Sequence, residues 1–87
     1  MSLILDSRLA GDGHPGFHAR LDGEPAIVEL DSGAIFKLAR RATDGELGRI
    51  LEEKRQSISD AAIRLARAGF TTRSERGIEI LVTALDL

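Results

Sequence analysis

Two alternating segments meet at Asp22-Gly23, and this feature constrains the fold more than any other in the chain. Aspartate followed by glycine is a strong signal for a two-residue type I′ hairpin turn, because that turn needs positive φ at both central residues. The turn also fixes which residues face each other, so the apolar side chains of both strands fall on one face. The opposed pairs are then Leu21 with Glu24, Ala19 with Ala26, and Phe17 with Val28.

Pro25, in the second strand, agrees with this register. It lies opposite Arg20 in a non-hydrogen-bonded pair, so its missing N–H points away from the partner strand. A proline elsewhere in the ladder would argue against a strand. The proline therefore supports the hairpin.

A short helix is expected after the hairpin. Asp31 and Ser32 are candidate N-caps, because their side-chain oxygens can accept hydrogen bonds from the free N–H groups of a first turn. Beyond them, apolar residues recur at helical spacing until the pattern is interrupted before Thr43. The residues on this apolar side are Ile35, Leu38, Ala39 and Ala42.

A longer helix is expected to begin at TDGE, 43–46, which has the pattern of a capping box. In that motif Thr43 caps the N3 amide, and Glu46 reaches back to the amide of Thr43. Gly69 stands where a left-handed residue would end the helix, with Phe70 folding back onto it. One apolar stripe, at about 100° per residue, runs between the two ends. It consists of Leu47, Ile50, Leu51, Ile58, Ala61, Ala62, Leu65 and Ala68.

A closing strand follows a polar turn at 73–77. Its residues alternate from Ile78 to Leu85 and become apolar on both faces towards the end, which favours a central position in a sheet. The strand would pair with the hairpin, or partly with residues 70–73. The predicted fold class is α+β: a small antiparallel sheet with two helices packed on it, in the order ββ-α-α-β, with room for extra short strands.

Two parts are expected along the chain: a flexible N-terminal segment at 1–16 and a single α+β domain at 17–87. Residues 3–5 could form a short strand. The following stretch, 6–16, carries three glycines, one proline and two aspartates, and this composition is typical of a loop. We therefore place the start of the ordered domain near Phe17.

The loop contains GDGHPG at 11–16, which satisfies the dinucleotide-binding pattern G-x-G-x-x-G letter for letter. That pattern needs a helix directly after it, because the helix N–H groups hold the pyrophosphate. Here the chain continues as a hairpin strand, and Ile35 and Phe36 stand where an acidic residue is expected. We predict no nucleotide site and no cofactor. Replacing the three glycines together with alanine should then change stability little, since surface changes usually stay within about 0.5 kcal/mol.

His14 and His18 are four residues apart, a spacing that makes a metal pair on a helix. Pro15 and Gly16 between them favour extended or turning chain, in which the two histidines lie some 13 Å apart if the segment is straight. Zinc needs nitrogen ligands about 2 Å away, so we expect solvent-exposed histidines and no metal site, even with Asp12 as a third ligand. No serine lies in a G-x-S-x-G elbow. The chain is not expected to be an enzyme.

Composition places the chain among folded domains: its 87 residues are 43% apolar and 30% charged, with a net charge of −2. A chain of this length has little room for a deep catalytic cleft. The apolar start is too short for a signal-peptide core, and no other run could span a bilayer. We therefore expect a cytoplasmic protein without a membrane partner.

Four arginines near the end of the long helix suggest an alternative function. They could lie close together and neutralise several phosphates, as a nucleic-acid-associated regulator with salt-dependent affinity would. Against this stand the acidic total and the scarcity of aromatic residues, three phenylalanines with no tryptophan or tyrosine. Nucleic acid is therefore the less favoured partner. The arginines are Arg64, Arg67, Arg73 and Arg76.

Two large apolar residues lie off the apolar stripes of the expected helices. Phe36 points about 100° away from Ile35, and Ile63 about 160° away from Leu47. Single exposed apolar residues are common, and terminal strands or a loop could also cover these two. The alternative is that Phe36 and Ile63 help form a surface for a protein partner or a homodimer. On this basis we predict a non-enzymatic protein-interaction module.

Three stretches carry a family resemblance. They are the strand from Phe17 with its Asp22-Gly23 turn, the helical spacing of Arg55, Ile58, Ala62 and Leu65, and the ending ILVTALDL with Asp86. Over 17–87 the chain resembles a family of short bacterial proteins known as domain of unknown function 1488. That family has no assigned activity, so the resemblance implies the fold and adds no site residue.

Overall fold

One mixed sheet with helices on one side organises residues 1–9, 14–40 and 44–87, the parts of the chain that the computed structural model describes. Its elements are β1 (Leu3–Arg8), β2 (Gly16–Leu21), β3 (Glu24–Leu30), α1 (Ser32–Leu38), α2 (Asp44–Glu53), α3 (Arg55–Arg67), β4 (Thr72–Ser74), β5 (Gly77–Val82) and a 3₁₀ helix (Ala84–Asp86). The strand order is β1-β2-β3-β5-β4. The predicted α+β class is confirmed.

Every predicted pair across β2 and β3 forms, and Pro25 lies opposite Arg20 as expected. Asp22 and Gly23 have φ values of 51° and 85°, the positive angles that a type I′ turn requires. The hairpin and its register are therefore confirmed.

The closing strand β5 has the predicted interior position, between β3 and β4, but it runs parallel to β3. The sheet is therefore mixed and not purely antiparallel. The short strand β4 and its turn at Glu75 and Arg76 reverse the chain once more after α3. Because of this extra reversal, β5 enters the sheet in the same direction as β3, with the helices forming the crossover.

The two predicted helices become three. Asp31 caps α1 as expected, its carboxylate accepting from the Ala34 N–H at 2.7 Å. The long helix breaks at Lys54, whose φ and ψ are −97° and 10°. Six consecutive polar residues, 52–57, surround this point, so no apolar side chain holds the middle of the helix against the sheet. The Thr43 side of the capping box and Ala42 lie outside the described residues.

The end of α3 follows the prediction in its backbone. Gly69 has a φ of 84°, and the Phe70 N–H donates to the Leu65 carbonyl at 2.9 Å. This is the bond of a helix end closed by a left-handed glycine. The Phe70 side chain, however, is 69% exposed.

The N-terminal segment departs from the prediction, because β1 is an edge strand of the same sheet. The expected strand at 3–5 exists and extends to Arg8, antiparallel to β2 with an irregularity after Leu5. Leu5 belongs to the main core, and Leu9 N–H donates to the Gly16 carbonyl at 2.8 Å. The boundary that we placed near Phe17 is therefore wrong: the ordered domain includes β1. Backbone pairing with β2 orders this segment, and amino-acid composition gives no information about such pairing.

Gly16 also departs from the prediction of a loop glycine. It is buried as the first residue of β2, and a Cβ built on it would overlap the Val28 carbonyl oxygen. Gly11 and Gly13 lie outside the described residues. The overlap at Gly16 alone contradicts the expectation that replacing the three glycines together would change stability little.

The main core lies between the helices and one face of the sheet. Alternate residues of the strands enter it together with Ala34 of α1, Leu51 of α2 and Ile58 of α3. The largest fully buried side chains are Phe17, Leu30, Ile58, Ile80, Val28 and Val82.

Candidate functional site: the open face of the sheet

The other face of the sheet carries no helix of the described chain, and we call it the open face. Ile27 marks the difference: it is buried, 4% exposed, yet it lies outside the main core. Strand register places three rows of residues across this face. The rows are Ile4, Arg20 and Pro25; His18, Ile27, Glu79 and Thr72; and Gly16, Glu29 and Leu81.

Large apolar side chains stand exposed on the open face. Ile4 is 58% exposed and Leu81 is 48% exposed. Phe70 stands at the rim, where it lines a shallow cleft of about 570 Å³ together with Leu81, Glu29 and Glu79. A sheet face that meets water usually carries polar residues at such positions, so Ile4 and Leu81 are exceptions on a face whose other exposed residues are mainly polar.

The charges of the open face are arranged around Arg76. Its guanidinium forms ion pairs with Glu29, at 3.1 Å, and with Glu79 on the neighbouring strand. Hydrogen bonds from Ser74 and Arg76 lower the pKa of Glu79 below its ordinary value, and the bond to Glu79 raises that of Arg76. Two carboxylates thus share one guanidinium, while Arg20 stands exposed at the other end of the face.

The lowered pKa of Glu79 leads to a titration experiment. In an NMR titration of the side-chain carboxyls, Glu79 should protonate at a lower pH than an ordinary glutamate, and Arg76→Gln should move its pKa upward. A lowered folded pKa means that the stabilisation is present above the unfolded pKa and is lost as pH falls through the folded pKa. Arg73→Gln is the control, because Arg73 pairs with Glu24 instead. An identical Glu79 pKa in wild type and Arg76→Gln would contradict the assignment.

The structure does not bring the four predicted arginines together. Arg64 and Arg67 lie on α3, where Arg64 donates to the Asp86 carbonyl beside a cleft of about 580 Å³. Arg73 pairs with Glu24 at 3.1 Å, and Arg76 lies on the opposite face of the sheet from the helices. Three of the four arginines therefore have partners within the chain, and these partners weaken the positive electrostatic potential that the arginines produce.

The two predicted contact residues, Phe36 and Ile63, lie in different surroundings. Phe36 is 65% exposed and lines an apolar groove of about 410 Å³ with His14, Pro15 and Ile35. Ile63 is only half-buried on α3 and is not a protruding residue. Within α3 alone Ile63 still lies about 160° from Leu65, so the break at Lys54 does not change its position off the apolar stripe.

His14 and His18 are both exposed, as predicted, with His18 inside strand β2. Within the described ranges, no three His, Cys, Asp or Glu side chains gather as a metal site would need. No helix in those ranges has both the length and the apolar composition to cross a membrane.

Arg55 is a structural residue whose role the sequence did not reveal. It stands at the start of α3, and its guanidinium donates to the β1 carbonyls of Leu5, at 2.7 Å, and Asp6, at 3.0 Å. It also pairs with Glu52 and lies 4.8 Å from the centre of the Phe17 ring. Arg55 therefore fastens the edge strand to the helical layer.

No family model, curated protein or solved structure matches this chain. The resemblance to domain of unknown function 1488 stays a prediction.

The open face itself could have been suspected from one signal. Leu81 stands between Ile80 and Val82, so β5 is apolar on both sides. That pattern predicted a central strand, which it is, and a central strand covered on one side only leaves the second apolar row exposed. The sequence does not show that all three helices pack on the same face of the sheet.

Proposed function

We propose that this chain is a non-enzymatic protein-interaction module that uses the open face of its sheet as the contact surface. The exposed pair Phe70 and Leu81, which line one cleft beside the uncovered sheet face, carries this proposal. Exposed apolar residues grouped on one surface mark protein contacts in small domains. We place the module in the cytoplasm, in line with the sequence prediction.

The chemistry of the open face defines the surface that fits it. Its accessible apolar part is Leu81 with Phe70 beside it, because Ile27 is buried, and the nearby carboxylates of Glu29 and Glu79 are both paired with Arg76. The opposite end of the face carries the exposed Arg20. A fitting partner therefore presents an apolar group to Leu81 and Phe70 and an acidic group to Arg20.

A polyanion fits this chain less well. Arg64, Arg73 and Arg76 already donate to carbonyl or carboxylate groups of the chain, so binding phosphates would require breaking those contacts. The nucleic-acid alternative consequently has less support than protein contact.

Photocrosslinking inside the native cell tests the proposal. A photoreactive phenylalanine analogue replacing Leu81 should give protein adducts on irradiation, because the side chain lies in the contact surface. The matched control replaces Leu85, which is 97% exposed on the 3₁₀ helix, away from the open face. Adducts from Leu81 and none from Leu85 support the function. Absence of adducts from Leu81, or equal yields at both positions, would contradict it.

A further inference from the structure

We infer that α2 is a latched lid on the main core, which opens by local unfolding while the rest of the domain stays folded, and that Glu52 is the latch. This inference concerns the helical layer and does not depend on the open face. It follows from the sequence of α2, from its burial, and from the side chains of neighbouring elements that hold it.

The sequence of α2 makes a weak helix. Its ten residues, DGELGRILEE, include two glycines, and glycine is the least favourable helix residue after proline. The helix ends on Glu52 and Glu53 with no basic residue in its last turn, and negative charge at that end opposes the helix dipole. A helix of this length is marginal in water without tertiary contacts. α2 therefore depends on its neighbours.

Tertiary packing holds α2 at one point. Among residues 46–53, whose side chains the structure describes, Leu51 is fully buried and the others are exposed or half-buried. By comparison, α3 buries Ile58, Ala61 and Ala62. An element with few buried apolar contacts opens at a lower free energy than the rest of its domain.

Arginines from two other elements hold the C-terminal end of α2 through Glu52. The Arg55 guanidinium of α3 pairs with the Glu52 carboxylate at 2.9 Å, and Arg8 Nε of β1 lies 3.7 Å from the same carboxylate. Arg8 also lies close over Gly48, where a Cβ would overlap its guanidinium. These two arginines supply the positive charge that the last turn of α2 lacks, so Glu52 fastens α2 to β1 and α3.

The helix break at Lys54 allows α2 to open without α3. Residues 52–57 are all polar, so no apolar side chain around the break ties the two helices together. Unfolding of α2 can therefore stop at Lys54. Opening removes Leu51 from the cluster that it shares with Leu5 and Phe17, and uncovers apolar surface of the main core.

Native-state hydrogen exchange followed by NMR tests the lid. In the wild type, amides of α2 should exchange about 100-fold or more faster than amides of α3. Low concentrations of urea should leave the α2 rates nearly unchanged, because a local opening exposes little surface. If α2 exchanged with the same rate and urea dependence as α3, both helices would open by global unfolding and the lid would be wrong.

Substitution of Arg8 tests the latch. Arg8→Gln should speed exchange of the α2 amides about three- to fivefold, because it leaves the Glu52 charge partly uncompensated, and should leave the α3 amides unchanged. Arg73→Gln is the matched control, since Arg73 also forms an exposed ion pair, but with Glu24. This control should leave the α2 amides unchanged. Equal effects of the two variants on α2 would overturn the latch.

A double variant tests whether Glu52 is the residue through which Arg8 acts. In a Glu52→Gln background, Arg8→Gln should no longer speed exchange of α2, because its charged partner is already gone. The same acceleration in both backgrounds would overturn Glu52 as the latch, and so would no acceleration in either. Circular dichroism confirms that each variant is folded.

Discussion

Replacing Gly16 with alanine should destabilise the domain by about 2–3 kcal/mol, although the sequence around it has the composition of a surface loop. The new methyl group would overlap the Val28 carbonyl oxygen and press on the Glu29 Cα, which is 2.9 Å from the ideal Cβ position. Both are backbone atoms of β3 and cannot rotate away, so the two strands must separate locally. Urea unfolding monitored by circular dichroism measures the loss.

Gly33→Ala provides the matched control for this prediction. Gly33 lies in α1, and a Cβ there would be 3.5 Å from its nearest neighbours, an ordinary contact. Alanine favours a helix over glycine by up to about 1 kcal/mol, so this variant should be unchanged or more stable. If Gly16→Ala unfolded at the same urea concentration as wild type, the close approach of β2 to β3 at Gly16 would be wrong.

Arg55→Ala should cost about 2 kcal/mol and loosen β1 in particular. The substitution removes the donors to the Leu5 and Asp6 carbonyls, the pair with Glu52, and the contact with the Phe17 ring. A hydrogen bond from a charged donor contributes more to stability than a neutral one, because the charge adds electrostatic attraction. Urea unfolding gives the total loss, and hydrogen exchange of the β1 amides should increase beyond that of β3.

Two further variants show which property of Arg55 accounts for the loss of stability. Arg49→Ala removes an exposed pair with Glu53 on α2 and should change stability by less than about 0.5 kcal/mol. Arg55→Lys keeps the charge but has no planar fork to reach two carbonyls at once, so it should recover only part of the loss. Full recovery in Arg55→Lys would mean that charge alone, and not the geometry of the guanidinium, holds the edge strand.

The hairpin was predictable in detail because its information is local. Asp22 and Gly23 determine the turn, and the turn determines every pair across β2 and β3. Helix caps are equally local, which is why Asp31 and Gly69 have the roles expected of them.

The remaining parts depend on contacts that are distant in sequence. The residues after Leu5 do not alternate in polarity, and their place in β1 relies on pairing with β2 and on Arg55, fifty residues away from Leu5. Alternation in β5 is the same for either strand direction, so it could not show that β5 runs parallel to β3.

The sequence predicted the type of surface, a protein contact, but not the residues that form it. Exposed apolar residues indicated a protein contact, but Phe36 and Ile63 were selected by angles on isolated helices. The open face arises from a property of the whole fold, namely that α1, α2 and α3 share one side of the sheet. Leu81 becomes exposed for that reason alone.

Photocrosslinking from two exposed phenylalanines tests most directly whether the open face is the contact surface. Phe70 stands at the rim of the open face and is 69% exposed, whereas Phe36 lies on α1 and is 65% exposed. A photoreactive phenylalanine analogue at Phe70 should give protein adducts in the native cell, and the same analogue at Phe36 should give few. Adducts from Phe36 alone, or from neither position, would contradict the open face as the contact surface.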